Sequence, residues 1–128
     1  MNKQKVALAL SRTFMGLSAV SMLMVSVMAF ANPQSVMDLV NVKLYNTDAY
    51  SSIRGVYGGV GLSLFVAIVY MAWKDVKTGL RFLCMLWGFY ALSRIITIFA
   101  EGSLGAFGSQ WLKIESCFFL IALALSLV

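Results

Sequence analysis

Histidine is absent from the 128-residue sequence, and cysteine occurs only twice, at Cys84 and Cys117. Without histidine the chain lacks the commonest metal ligand and the usual general base near neutral pH. The cysteines form no CxxC motif, so a thioredoxin-like or quinone-coupled disulfide centre has no support. Because they fall at different depths of two predicted helices, we expect two unpaired packing residues. The sequence therefore predicts neither a metal site nor a cofactor.

Charged residues are scarce as well. They make up 12% of the chain, whereas about a quarter is usual in soluble proteins. Ten Lys/Arg outnumber five Asp/Glu, which gives a net charge of +5. The basic residues stand at the ends of apolar blocks and not along one polar face, which argues against nucleic acid as a partner. Their distribution indicates the loops of a membrane protein.

Apolar residues account for 61% of the chain and are grouped in long blocks. Four blocks are long enough to cross a bilayer as helices, at about residues 8–31, 53–73, 80–100 and 111–128. We therefore predict an all-α integral membrane four-helix bundle with antiparallel up-down topology. Residues 1–128 would form a single transmembrane domain whose principal partner is the lipid bilayer.

The first block has two interpretations. Its basic start and the tripeptide Ala29-Phe30-Ala31 resemble a secretory signal peptide that is cleaved after Ala31. The uncharged stretch from Thr13 to Ala31, however, is about 28 Å long as a helix, longer than a usual signal segment. We expect an uncleaved first span.

The connections between spans are predicted to be short. Pro33 ends the first helix, and residues 34–44 have the spacing of a short helix at the membrane surface. Residues 73–81 read as a tight basic connector, and residues 103–110 as a loop rich in glycine and serine. The second span has three candidate N-cap residues, which are Asp48, Ser51 and Ser52.

Small residues mark the start of the second span. Gly55, Gly59 and Ser63 recur at four-residue steps, and Gly58 lies among them. This pattern lets a neighbouring helix approach closely, either within the chain or between copies in a homo-oligomer. A phosphate-binding loop is disfavoured, because no Lys-Ser/Thr pair follows the glycines.

The basic residues also predict the orientation. Four spans place both termini on one side, and the loops on that side contain six Lys/Arg against three on the other. The positive-inside rule therefore places the N- and C-termini in the cytoplasm. The six basic residues are Lys3, Lys5, Arg12, Lys74, Lys77 and Arg81.

Arg94 is the charge that most needs an explanation, because a guanidinium within a hydrocarbon span costs a few kcal/mol. Its side chain could extend along the helix to the interface, or it could face inward and be paired. Glu115 in the fourth span is predicted to lie at a similar depth, Glu101 shares the helical face of Arg94, and Arg54 begins the second span on the same side. We predict a bidentate Arg94–Glu115 pair within an outer-leaflet Arg/Glu cluster.

The order and spacing of these polar residues resemble those of a small bacterial four-helix membrane family known as domain of unknown function 4345. The resemblance extends from the first span to the last and implies a four-helix integral membrane protein, but no reaction. We expect this protein in the inner membrane of a bacterium. A DoxX-like four-helix protein is a weaker alternative of similar size. The matching residues are Arg54-x-x-Tyr57-Gly58-Gly59, Arg94, Glu101-Gly102 and Glu115, and the cluster also includes Tyr90.

Three functions are consistent with this pattern. In the first, the protein is a binding or accessory protein whose cluster anchors an anionic lipid-like or quinone-like ligand or stabilises the bundle. It could also be a subunit of a larger membrane complex. In the second, it is an outer-leaflet enzyme with Glu115 as general base, although no histidine or nucleophile motif supports catalysis. The third is a small transporter, which is disfavoured because the first span has no carboxylate.

Overall fold

The computed structural model describes residues 2–128, which are mostly helical and contain no strand. Four helices are long and apolar enough to cross a membrane: Lys3–Ala31, Thr47–Lys74, Val76–Ala100 and Ala106–Ser126. The predicted all-α fold with four membrane-spanning helices is thereby confirmed. The helical elements are α1 (Lys3–Ala31), α2 (Pro33–Asp38), α3 (Thr47–Ile53), a π-helical segment (Arg54–Val60), α4 (Gly61–Lys74), α5 (Val76–Ala100) and α6 (Ala106–Ser126).

The chain divides into two compact units. One unit contains Gly16–Tyr70, and the other contains the residues up to Met15 together with Met71–Val128. Large apolar side chains are exposed in both, for example Leu17, Phe89 and Leu120 at 57%, 62% and 59%. Such extensive apolar exposure is unusual for a soluble protein and is expected where lipid is the solvent.

The first connection, in the Gly16–Tyr70 unit, contains a shorter helix than predicted. Asn32 is extended ahead of Pro33 (φ −158°), and its side chain accepts a hydrogen bond from the Gln34 N–H, which begins α2. The helix ends at Asp38 instead of reaching residue 44. Beyond it, the Gln34 side chain donates to the Val42 carbonyl at 2.9 Å and accepts from the Leu44 N–H at 2.8 Å. These bonds replace helical ones and shape the loop.

A small core lies beneath α2. Val36 and Met37 of α2 are buried with Ala29 of α1, and Leu44 and Ile53 pack against them. The apolar face of α2 therefore contacts α1, while Leu39 and Val40, which follow it, are 44% and 48% exposed.

The second long helix begins earlier than predicted, at Thr47, and its cap is a different residue. The Asn46 side chain accepts a hydrogen bond from the Ala49 N–H at 2.8 Å. Asp48, predicted as a cap, lies instead in the first turn. There its negative charge interacts favourably with the positive end of the helix dipole. Ser51 and Ser52 lie within α3 and are not caps.

The glycines of this helix fall in and beside the π-helical segment. Gly58 is buried, and a Cβ there would lie 3.2 Å from the Phe30 ring. At Gly61 a Cβ would lie 3.3 Å from the Ser26 Cβ. The buried Ser26 hydroxyl donates to the Gly58 carbonyl at 2.7 Å. A Cβ at Gly55 or Gly59, in contrast, would meet nothing described within 4 Å.

Ser63 donates its hydroxyl to the Gly59 carbonyl of its own helix at 2.9 Å. The close approach seen within the chain therefore uses Gly58 and Gly61. A role for the Gly55/Gly59/Ser63 face between copies of the chain stays a prediction.

The connection between α4 and α5, in the other unit, is a single residue and not the longer connector predicted for residues 73–81. Asp75 interrupts the helix and caps α5, because its carboxylate accepts hydrogen bonds from the Thr78 hydroxyl at 2.6 Å and the Thr78 N–H at 3.2 Å. Both hydrogen bonds lower the pKa of Asp75 below its ordinary value of 3.8, and the bond from the Thr78 side chain has the larger effect.

Helices α5 and α6 pack against each other as an antiparallel pair. The loop between them is residues 101–105, shorter than the predicted 103–110, because α6 begins at Ala106. Gly102 adopts a positive φ of 116° directly after α5, a conformation that glycine adopts without strain. Between the helices, Trp87 meets Phe118 edge-on with ring centroids 5.0 Å apart, and Phe14 of α1 contacts the same ring at 5.4 Å.

Candidate functional site

Arg94 and Glu115 form a bidentate ion pair between α5 and α6. Arg94 Nε donates to Glu115 Oε1 at 2.7 Å, and Nη2 donates to Oε2 at 3.2 Å. The two parallel bonds fix the plane of the guanidinium as well as its position. The pair predicted from the sequence is thereby confirmed.

The helix ends explain why these residues meet. Arg94 lies six residues before the last residue of α5, and Glu115 lies nine residues after the first residue of α6. Antiparallel packing therefore brings them to similar depths, about 9 and 13 Å from the respective helix ends. Each charge compensates the other at a depth where an unpaired charge would be costly.

Burial differs between the two partners. The Glu115 side chain is only 4% exposed, whereas that of Arg94 is 24% exposed. The Arg94 Cζ also lies 5.8 Å from the centre of the Phe107 ring, so the aromatic face contributes a cation–π contact. Glu115 thus forms the buried side of the site and Arg94 the accessible side.

The guanidinium retains donor capacity after pairing. Arginine has five N–H donors, and Glu115 uses one on Nε and one on Nη2. Within residues 2–128, no acceptor forms a hydrogen bond with Nη1. The remaining donors are suited to an oxygen acceptor, such as a phosphate, carboxylate or carbonyl group.

The other predicted cluster residues are not members of the ion pair. Glu101 is exposed at the end of α5, where its N–H bonds to the Thr97 carbonyl, and it forms no ion pair within the part of the chain that the structure describes. Tyr90 is 38% exposed and contacts the Trp87 ring at 5.8 Å. Arg54 and Tyr57 belong to the Gly16–Tyr70 unit. There Arg54 Nε donates to the Phe30 carbonyl at 3.2 Å.

Phe107 is the site residue that the sequence analysis missed. The sequence predicts a loop rich in glycine and serine at residues 103–110, but Phe107 lies in the first turn of α6. One signal pointed to the helix: Phe107 and Trp111 are four residues apart, and their rings pack at 6.2 Å.

The described residues contain no group of three or more His, Cys, Asp or Glu side chains that could hold a metal ion. Cys84 and Cys117 are both free thiols. The chemistry of the site is therefore that of an arginine–glutamate pair, that is, charge compensation and directed hydrogen bonding.

Comparison with known proteins gave a match to one family model. A family model described as "Domain of unknown function (DUF4345)" matches residues 10–126. Neither the curated proteins nor the solved structures gave a match. The DoxX-like alternative receives no support. The match spans almost all of the chain, including Arg54, Arg94 and Glu115, and the protein belongs to the family of domain of unknown function 4345.

Proposed function

We propose that this multi-pass membrane protein is a binding or accessory protein in which Arg94 anchors the polar group of a lipid-like or quinone-like ligand. The observation that supports the proposal most is the difference in burial and in hydrogen bonding between the two members of the ion pair. Glu115 is buried and occupied on both oxygens, while Arg94 is partly exposed and has donors to spare. A pair that only held two helices together would not need an accessible donor edge.

The charge balance indicates how a ligand would be recognised. Because Glu115 neutralises Arg94, the site attracts a ligand through directed hydrogen bonds more than through net charge. A lipid phosphate and a quinone carbonyl both present oxygen acceptors of this kind. Phe107 lies against the guanidinium, so we expect the ligand to approach in the plane of the free Nη1 edge.

We place the protein in the bacterial inner membrane, with both termini in the cytoplasm and the Arg94–Glu115 pair in the outer half of the bilayer. The basic residues near the predicted inner ends of the spans support this orientation. Subunits of a larger complex or further copies of the chain are additional partners that the exposed apolar faces would accommodate.

Catalysis is the weaker alternative. A general base must be able to reach a substrate proton, whereas both oxygens of Glu115 accept hydrogen bonds from Arg94 and only 4% of its side chain is exposed. The geometry therefore favours binding over an enzyme with Glu115 as base.

Retention of ligand by the detergent-solubilised full chain tests the proposal. Native mass spectrometry would compare phosphatidylglycerol and a short-chain ubiquinone as separate probes. We expect at least one to bind with a dissociation constant raised roughly tenfold by Arg94→Lys, which keeps the charge but loses the planar fork. Lys113→Gln removes an exposed charge from α6 and serves as the matched control.

Circular dichroism would establish that each variant is folded. Binding of neither probe, or equal binding by the wild type and a folded Arg94→Lys variant, would contradict the proposal.

A further inference from the structure

A second feature of the α5–α6 pair is an open, mainly apolar groove of about 560 Å³. Arg81, Cys84, Gly88 and Leu92 line it from α5, and Phe119 and Leu123 from α6. Gly88 shapes its floor, because a Cβ at that position would come within 3.0 Å of the Phe119 ring. The glycine lets the ring lie against the backbone of α5 and leaves the groove open beside it.

The groove has the length of one bilayer leaflet. From Arg81 to Leu92 the lining residues extend eleven positions along α5, which corresponds to about 16 Å of helix. A hydrocarbon core of about 30 Å gives each leaflet about 15 Å. An acyl chain of one leaflet would therefore occupy the groove from end to end.

Only one end of the groove is charged. Arg81 is exposed one turn into α5, and within residues 2–128 it forms no ion pair at 4 Å or less. Lys74 at the end of α4 and Lys77 in the first turn of α5 stand near it, with Asp75 between them as the single acid. The Lys77 ammonium donates to the Val128 main-chain oxygen at 2.9 Å. This end thus presents an exposed guanidinium with no ion-pair partner within 4 Å among the described residues, beside an apolar groove. Asp75 is the acid that its charge reaches, because Arg81 contributes to lowering the pKa of Asp75. The guanidinium fork matches the geometry of a phosphate, and basic residues near a membrane surface attract anionic headgroups.

We propose that this groove binds one acyl chain of an anionic phospholipid and that Arg81 binds the phosphate of the same molecule. The site is separate from the ligand anchor at Arg94, because the two arginines are thirteen positions apart on α5, about 20 Å along the helix. A bound lipid would cover Phe119 and Leu123, and its phosphate would hold the basic end of α5 at the level of the headgroups.

Native mass spectrometry of the full chain in mild detergent, titrated with phosphatidylglycerol or phosphatidylcholine, tests this site. We expect preferential binding of phosphatidylglycerol and a dissociation constant raised roughly tenfold or more by Arg81→Gln. Lys74→Gln is the matched control, because it removes the same charge from the end of α4, and Lys74 does not line the groove. Cys84→Phe fills the channel and should weaken binding of both lipids.

Alkylation of Cys84 by a maleimide, in a Cys117→Ala background, reports where the lipid lies. We expect phosphatidylglycerol to slow alkylation relative to phosphatidylcholine and Arg81→Gln to remove that difference. Cys117 in a Cys84→Ala background is the control thiol, and its alkylation should not depend on which lipid is present.

Three results would overturn the proposal. The first is equal binding of both lipids by the wild type, and the second is equal loss of binding in Arg81→Gln and Lys74→Gln. The third is a dimer in which a second copy, and no lipid, protects Cys84. Binding of phosphatidylglycerol that Arg94→Lys abolishes and Arg81→Gln leaves unchanged would assign the lipid to the Arg94 site instead. The two proposals can therefore fail separately.

Discussion

Arg94 satisfies both oxygens of the buried Glu115 carboxylate, with contacts of 2.7 Å from Nε and 3.2 Å from Nη2. One side chain of α5 thus compensates a charge that α6 holds almost entirely away from solvent. At this depth either charge alone would carry a large desolvation cost, and pairing with the opposite charge offsets that cost.

We expect loss of one member of the pair to destabilise the protein more than loss of both. Glu115→Gln or Arg94→Met leaves an unpaired group, at a cost approaching the ~3–5 kcal/mol of a fully buried pair and reduced by the partial exposure of Arg94. The double variant Arg94→Met/Glu115→Leu should recover much of that loss. Unfolding in detergent, analysed as a double-mutant cycle, measures the coupling, and strictly additive effects would contradict it.

The glycines of the second long helix should differ in their tolerance of a methyl group. Gly58→Ala would press against the Phe30 ring and Gly61→Ala against Ser26, so each should lower the free energy of unfolding by about 1 kcal/mol or more. Gly55→Ala, whose Cβ would meet nothing described within 4 Å, is the matched control and should be neutral or stabilising within the same helix. Higher unfolding temperatures for Gly58→Ala and Gly61→Ala than for Gly55→Ala would refute this packing.

The hydroxyl of Ser26 should contribute to stability through the π-helical segment. It donates to the Gly58 carbonyl at 2.7 Å in a buried position, so Ser26→Ala should cost about 1 kcal/mol or more, because a buried acceptor loses its partner. Ser21→Ala is the control, since the Ser21 hydroxyl bonds to the Leu17 carbonyl of its own helix. Equal unfolding midpoints for the two variants would argue against this role.

The Asp75 cap should make stability depend on pH in acid. Hydrogen bonds from Thr78 lower the pKa of Asp75 below its ordinary value of 3.8, so the folded state favours the ionised carboxylate. Its stabilising contribution is fully present above pH 3.8 and is lost as the pH falls through the lowered pKa. Asp75→Asn can still accept a hydrogen bond but does not titrate.

Thermal unfolding between pH 2 and pH 6 would compare the two proteins. We expect the unfolding temperature of the wild type to exceed that of Asp75→Asn at pH 6, and this difference to disappear as the pH falls. A difference in unfolding temperature that stayed constant over this range would show that protonation of Asp75 does not weaken the cap.

The sequence predicted the helices and the ion pair because both depend on regular geometry. Long apolar blocks indicate spans, and the rise per residue places Arg94 and Glu115 at similar depths in antiparallel helices. The sequence pattern could not predict which glycines make close contacts, since the four-residue spacing of Gly55 and Gly59 assumes a regular α-helix. In a π-helical segment the hydrogen bonds close over one more residue. The close contacts within the chain involve Gly58, which is among the predicted packing residues, and Gly61, which is not.

The ends of elements depended on single side chains that composition does not reveal. The sequence predicts a tight basic connector over residues 73–81, yet the hydrogen bonds that Thr78 donates to Asp75 reduce it to one residue. Glycine and serine around Phe107 suggested a loop, yet the residues from Ala106 onward are helical. In both places a local hydrogen bond or a tertiary contact prevailed over an average propensity.

The most direct test of a binding role for Arg94 exchanges the two charges in the variant Arg94→Glu/Glu115→Arg. The exchange keeps an ion pair between α5 and α6 but moves the guanidinium to the other helix. The measurement is retention of phosphatidylglycerol and short-chain ubiquinone by the folded full chain in native mass spectrometry, beside its unfolding midpoint. We predict that the exchange restores much of the stability lost in either single variant and does not restore wild-type retention of the ligand. Wild-type retention by the exchanged protein would contradict the account, because the pair would then act only as a contact between helices.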